Sequence, residues 1–290
     1  MRYFLENETV KAEVESRGAE LKSIVRKCDN AEILWGADPA YWGKTSPLLF
    51  PFIGKLQDAG YNYKGRRYQI DKHGFAQRME FAVVEEKKDR IVFRLHDTEE
   101  TMQKYPFSFV LDVEYLLQEN SVVENWYVTN NSAETMYFSI GGHAALACPA
   151  PTRVGQRIKL YGVEGKEVLH SLLINENGLI KDGALAVELQ EGKFAITETT
   201  FDIDTFIFDK GEITAIGLCD ESGEEYVRVE SDAPVWGIWS MPDSRACYVC
   251  LEPWYGICDY ADYQGSIEER AFTNHIQAGE VWRGGQVIKF

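Results

Sequence analysis

A histidine that follows two glycines and a glutamate that closes an apolar run are the residues of this chain best suited to move protons. The histidine ends Tyr137-Phe138-Ser139-Ile140-Gly141-Gly142-His143. Under strand alternation, Phe138 and Ile140 face a core while Tyr137, Ser139 and His143 share the other face. The paired glycines clear side chains from a place where a ligand or another backbone can approach. The glutamate stands in Cys250-Leu251-Glu252-Pro253-Trp254-Tyr255-Gly256. Proline is expected to stop the ladder, so Glu252 is expected at a sheet rim with an aromatic beside it. Partial burial there raises a carboxyl pKa toward that of a useful base. A hydrogen-bonded core histidine and a salt-bridged structural glutamate are the plainer alternatives.

Two further residues stand where a ligand could meet them. His73 follows Ser46–Tyr68, which opens with Pro47-Leu48-Leu49-Phe50-Pro51. Two prolines so close exclude a helix or a central strand. Lys64-Gly65, flanked by alternating tyrosines, reads as a tight hairpin turn. His73 is then expected at a strand end, before a glycine, presenting its imidazole to a cavity; a surface histidine in a turn fits equally well. Asp204 lies in Ile203-Asp204-Thr205-Phe206-Ile207-Phe208, an otherwise mostly apolar run. A carboxylate there is paired, ligand-bound or at a strand end.

Metal chemistry finds no support in the spacing. The five histidines are scattered, and none forms a His-x-x-x-His pair. Cys247-x-x-Cys250 reads as part of a buried strand, where residues three apart point to opposite faces. These thiols are therefore expected as reduced core residues, and no metal is expected. Phosphate-loop glycines and a Gly-x-Ser-x-Gly elbow are both absent from the sequence.

The elements that must position these residues are strands. Runs of strand length recur at 79–84, 90–95, 107–117, 122–129, 135–140, 195–200, 203–208, 226–229, 235–239 and 246–251. Clusters such as Asn130-Asn131-Ser132 and Asp220-Glu221-Ser222-Gly223 separate them. That pattern predicts an all-β sandwich or barrel. One helix is predicted over 98–105, capped by Asp97 or Thr98 and stopped by Pro106. No linker or repeat divides the chain, so one domain over 1–290 is expected. The net charge of −16 disfavours nucleic acid and anionic membranes as partners. No apolar stretch is long enough to span a bilayer, and the N-terminus lacks a signal-peptide core. A cytoplasmic location is expected, as a monomer or homodimer. The 13% aromatic content favours strands and supplies flat faces for stacking on sugars.

Taken in order, SPLLFPFIGKL, HGFAQR, FSIGGHAAL, FDIDTFIF and GIWS…CLEPWYGICD resemble the aldose 1-epimerase (galactose mutarotase-like) superfamily. The likeness is greatest to its LacX-like branch, and it runs over nearly the whole chain. It implies a galactose-mutarotase-type β-supersandwich of mostly antiparallel strands with an open sugar cleft. It also implies an isomerase that interconverts the α and β anomers of an aldohexose without metal or organic cofactor. By that resemblance His143 is the general acid at the ring oxygen and Glu252 the general base at the anomeric hydroxyl. His73 and Asp204 bind and orient the sugar, with Lys55, Arg78 and Trp254 completing the expected binding set.

The chain departs from the family pattern at three points. Lys55 stands where arginine is usual, and lysine lacks the bidentate fork. Arg78 comes one place late after His73-Gly74-Phe75-Ala76-Gln77, which in a strand puts it on the opposite face. Ala144-Ala145-Leu146 follows His143 in place of Pro-Ala-Phe. Two competing readings follow. One is a 6-phosphosugar epimerase using Lys55, Arg66, Arg67 and Arg78 as a phosphate site. The other is a non-catalytic sugar-binding module on the same fold. The overall charge and Lys55 favour a neutral sugar as substrate.

Overall fold

The strand Ser121–Asn130 buries every second residue. It can do so because one of its faces meets the core while the other stays half-exposed. It lies within a nine-stranded sheet ordered 193–195, 157–161, 215–219, 225–230, 281–289, 121–130, 109–118, 90–96 and 82–86. The computed structural model describes residues 1–290. A seven-stranded sheet carries Ile140–Gly141, Tyr248–Tyr255, Val235–Trp239, Phe206–Phe208, Val168–Ile174 and Ile180–Glu188 in that order. Its remaining strand, Ala144–Ala147, also pairs with Tyr248–Tyr255. A four-stranded sheet forms from residues 2–32. Strand accounts for 49% of the chain and helix for 5%, with mostly antiparallel pairing, as the turn-punctuated sequence predicts. No helix is long and apolar enough to cross a membrane.

One cluster of 62 buried apolar residues forms the main core. Two smaller clusters sit apart from it. One gathers Leu49, Ile53, Ile207, Val235, Trp254 and Cys258 among its members. The other joins Ala145, Tyr248 and Cys250 to the partly buried Trp42 and Trp239. The candidate site lies between these two.

Several local expectations hold. Lys64 and Gly65 both adopt positive φ, as a two-residue hairpin between Gly60–Tyr63 and Arg66–Gln69 requires. The helix is Glu99–Lys104, and Thr98 and Thr101 close a reciprocal capping box. Others fail. The run 195–200 is strand only at its start, because Lys193–Ala195 gives way to a turn held by Thr197 and Thr200. In 203–208 only Phe206–Phe208 is strand. The run 79–84 starts late, at Ala82. Pro253 does not end its strand, which continues to Tyr255. Its carbonyl still accepts the Gly142 N–H at 3.1 Å, so the ladder loses only the proline's own donor.

The strand alternation also buries a carboxyl group. Glu124 is 3% exposed. It accepts hydrogen bonds from the Tyr115 hydroxyl at 3.0 Å, the Trp126 indole at 2.8 Å and the Gln286 amide at 2.7 Å. Burial nevertheless outweighs these donors and raises its pKa above the ordinary carboxylate value. Between that ordinary value and the raised one, the folded protein binds more protons here than the unfolded chain. The group's contribution to stability is therefore complete below about pH 4.5 and falls as pH rises through the folded pKa. Glu124→Gln is expected to lose less stability than wild type from mildly acidic to alkaline pH. Denaturant melts across that range check this, and identical slopes would contradict it.

Candidate active site

The meeting of His143 and Glu252 follows from strand register. Ile140 pairs with Tyr255, Gly141 with Trp254 and Ala144 with Leu251. The same register continued sets His143 directly opposite Glu252. The two side chains touch, with His143 Nε2 3.3 Å from Glu252 Oε1. All eight residues of Tyr248–Tyr255 are buried. Val249, Leu251 and Tyr255 turn toward the main core. Tyr248, Cys250, Glu252 and Trp254 lie on the opposite, cavity-side face. On the other flank Gly237 pairs with Glu252, and Ile207 with Gly237. Gly237 leaves room for the Trp254 ring, whose Cζ2 would lie 2.6 Å from a β-carbon there.

A cavity of about 340 Å³ opens above this row, lined by His73, His143, Asp204, Glu252 and Trp254 among others. That volume suits a small ligand. Trp42 stacks on His143 with ring centres 5.0 Å apart, and Trp239 meets the same imidazole edge-on at 5.8 Å. The Trp42 loop is fixed by its carbonyl, which accepts the Trp35 indole N–H at 2.8 Å. His73 sits in a turn with positive φ rather than at a strand end. Its Nδ1 accepts the Gly54 N–H at 3.1 Å, and its own N–H donates to the Gly54 carbonyl at 2.9 Å. An accepting Nδ1 leaves Nε2 as the hydrogen-bearing nitrogen of a neutral ring. His73 can therefore offer a donor to a ligand oxygen.

Desolvation governs the proton chemistry here. Burial lowers the His143 pKa to about 3, and the Lys72 charge pushes in the same direction. Burial raises the Glu252 carboxyl well above the carboxylate range, while Lys72 pulls it back. His73 is held well below its usual value for the same reason. Both directions favour the neutral pair, with one proton between the two groups and Glu252 its preferred holder. Moving that proton across the 3.3 Å contact converts the neutral pair into carboxylate and imidazolium.

Several residues singled out in the sequence sit differently from expectation. Glu252 is not at a rim: it is 1% exposed, because strands flank it on both sides. Tyr137 and Ser139 do not join His143. Tyr137 packs against the main core near Tyr63, and Ser139 lies against Gly256, since the strand breaks at Ser139. The Gly141-Gly142 pair clears space for protein rather than ligand. A β-carbon at Gly142 would meet Gln286 at 2.7 Å. Asp204 lines the cavity from an exposed turn with positive φ, ahead of the strand.

Lys55 and Arg78 lie outside the cavity lining. Lys55 borders an adjoining groove, with its stem against Gly178. Arg78 belongs to the short 3-10 turn Ala76–Arg78, so the strand-face expectation does not apply. It is held outside by Asp71 at 2.8 Å and the Gly74 carbonyl at 2.7 Å. Arg66 rests on the Tyr68 ring, and Arg67 bonds the Gln57 carbonyl at 2.6 Å. The cationic set considered for a phosphate is thus not at the cavity. Trp42, Lys44, Lys72 and Trp239 line it instead. Trp42, Lys44 and Lys72 come from stretches without a periodic pattern, apart from the proximity of Lys72 to His73, whereas Trp239 ends the expected strand 235–239 and falls within the GIWS stretch.

A profile of the aldose 1-epimerase family matches residues 1–288. The chain belongs to the aldose 1-epimerase family. It is 29% identical over 278 residues to the chromosomal LacX protein of Lactococcus lactis subsp. lactis, covering 92% of this chain and 91% of that protein. A galactose mutarotase related enzyme from Lactobacillus acidophilus superposes with a TM-score of 0.92 at 31% identity, over 100% of this chain and 97% of that one. A galactose mutarotase-like protein from Lactobacillus casei shares the fold, with a TM-score of 0.91 at 24% identity, over 100% of this chain and 99% of that one.

Proposed function

We propose that this protein is an aldose 1-epimerase that interconverts the anomers of an aldohexose by opening and reclosing the ring. The observation that carries this reading is the buried His143–Glu252 contact facing a sugar-sized cavity. Ring opening takes a proton from the anomeric hydroxyl and delivers one to the ring oxygen. The C1–O5 bond breaks, an aldehyde forms, rotation about C1–C2 turns its face, and closure reverses the transfers. Both oxygens are bonded to one carbon. An acid and a base that touch each other can therefore serve both, and no placement on opposite sides of the ring is needed.

The roles depend on where the shared proton sits. As carboxylate and imidazolium, Glu252 takes the hydroxyl proton and His143 gives one to the ring oxygen. Lys72 favours the carboxylate while opposing the imidazolium, and bound sugar hydroxyls solvate the carboxylate better than an apolar wall does. Each turnover returns the pair to its starting state, so no cofactor enters the proton balance. His73 donates to a hydroxyl, Asp204 accepts from one, and Trp254 supplies an apolar face. Lys55 and Arg78 stand where only a group that projects beyond the cavity could meet them. The test is anomer-exchange NMR over a panel of aldoses. Acceleration above the buffer rate is expected, and none with any sugar would refute the reading.

A second reading concerns the substrate's charge. Lys44 and Lys72 line the cavity, and neither pairs with a carboxylate; Lys44 instead donates to the Gln77 side chain. Unpaired cations inside the cleft of a chain with net charge −16 favour an anionic substituent such as a 6-phosphate. On that reading Lys72→Gln raises KM for the phosphorylated sugar roughly tenfold, the worth of one charge-assisted hydrogen bond. The KM for the neutral sugar changes less, and any change in kcat through the Lys72 charge on the His143–Glu252 pair is common to both sugars. Equal KM values for both proteins would leave the neutral aldohexose as the substrate.

A further inference from the structure

His143, Cys250 and Glu252 each offer one donor atom, and these three atoms lie within 4.8 Å of one another; all three residues are buried. The sheet explains the cluster. Cys250 and Glu252 are two apart on one strand and share a face, while His143 stands opposite Glu252 in the link between Ile140–Gly141 and Ala144–Ala147. Cys250 is a free thiol. Glu252 Oε2 and His143 Nδ1 are buried without hydrogen-bond partners. The spacing of Cys247 and Cys250 hid this arrangement, because the partners of Cys250 come from elsewhere in the chain.

We propose that His143, Cys250 and Glu252 form a binding site for a borderline-soft divalent cation, zinc above all, whose occupancy disables the acid–base pair. Imidazole nitrogen, thiolate sulfur and carboxylate oxygen are zinc ligands, and three of them leave a fourth position open. Magnesium and calcium want oxygen ligands in greater number than this cluster holds. Zinc displaces a proton from the Cys250 thiol and one from the Glu252 carboxyl. The dication with one thiolate and one carboxylate has no net charge. A neutral complex is what a buried site tolerates, and it limits repulsion from Lys72. With His143 and Glu252 both on the metal, neither can exchange a proton with a sugar. The binding site stands on geometry alone; its inhibitory effect rests on the epimerase reading.

The test is a cobalt and zinc titration of the full chain freed of metal by chelator. Cobalt is expected to give a thiolate-to-metal charge-transfer band. Cys250→Ala should abolish that band and weaken zinc roughly tenfold or more, while metal-free anomer exchange stays at the wild-type rate. Cys250→Ser serves equally if the alanine variant fails to fold. Zinc should inhibit anomer exchange in wild type, with recovery on chelation. Absence of the band overturns the proposal. So does a band of unchanged strength in both Cys250 variants, which puts the metal on other cysteines. A Cys250-dependent band in a protein with no anomer exchange supports the metal site and sinks the epimerase reading. Anomer exchange without metal binding does the reverse.

Discussion

Replacing Glu252 with glutamine is expected to lower the anomer-exchange kcat by roughly two to four orders of magnitude, with KM changed only a few-fold. Glutamine keeps the size of the side chain and is neutral, the form that burial favours for Glu252. Packing against Trp254 and the register to Gly237 should therefore survive. What is lost is the capacity to take and return a proton. His143→Asn is expected to behave alike. The double variant should lose little beyond the worse single one, because either half alone leaves one proton stranded. Initial rates against sugar concentration separate the two parameters. A fall in kcat/KM that lies wholly in KM would make Glu252 a binding residue and favour a non-catalytic module.

Arg270→Met is expected to cost about 3–5 kcal/mol of stability, the usual cost of stripping one partner from a buried ion pair. Arg270 and Asp259 meet at 2.7 Å, with side chains 2% and 4% exposed. The Asp259 carboxylate also accepts the Gln57 N–H at 2.9 Å, and its backbone N–H donates to the Lys55 carbonyl at 3.1 Å. Arg270 donates to the Ile257 carbonyl at 2.9 Å and lies over the Phe52 ring. The pair thus ties the 52–57 segment, which brings Gly54 to His73, to the end of the strand that carries Glu252 and Trp254. Met fills the space of Arg270 and leaves the Asp259 charge unpaired. Adding Asp259→Asn should recover part of the loss. Denaturant unfolding of the two variants checks this, and a double variant no better than Arg270→Met would contradict it.

The fold was legible because strand alternation and turn residues repeat along the whole chain. The strand Ser121–Asn130 alternates strictly, and its bounds lie within one residue of the run seen in the sequence. That His143 and Glu252 share one site is legible through family motifs and not through local pattern. Nothing within nine residues of His143 points to Glu252, which register brings beside it from over a hundred residues away. Pro253 misleads because a proline in sequence signals the end of a ladder, whereas here its carbonyl side still pairs. Lys55 and Arg78 misled because a motif gives sequence order and not direction: Arg78 turns outward on a 3-10 turn. Trp42 and Lys44 escaped because loops leave no periodic signal. Cys250 reads as core filling in the sequence because its neighbours in space are not its neighbours in sequence.

The most direct measurement follows a carbon-13-labelled aldohexose, chosen from the panel, by NMR in oxygen-18-enriched water. It reads anomer exchange and the isotope shift at the anomeric carbon in one experiment. Opening between C1 and the ring oxygen keeps the anomeric oxygen, whereas cleavage of the exocyclic bond replaces it with solvent oxygen. The account predicts exchange well above the buffer rate, with no more label incorporated than in buffer alone. Exchange at the buffer rate, or label incorporated in step with accelerated exchange, would contradict it.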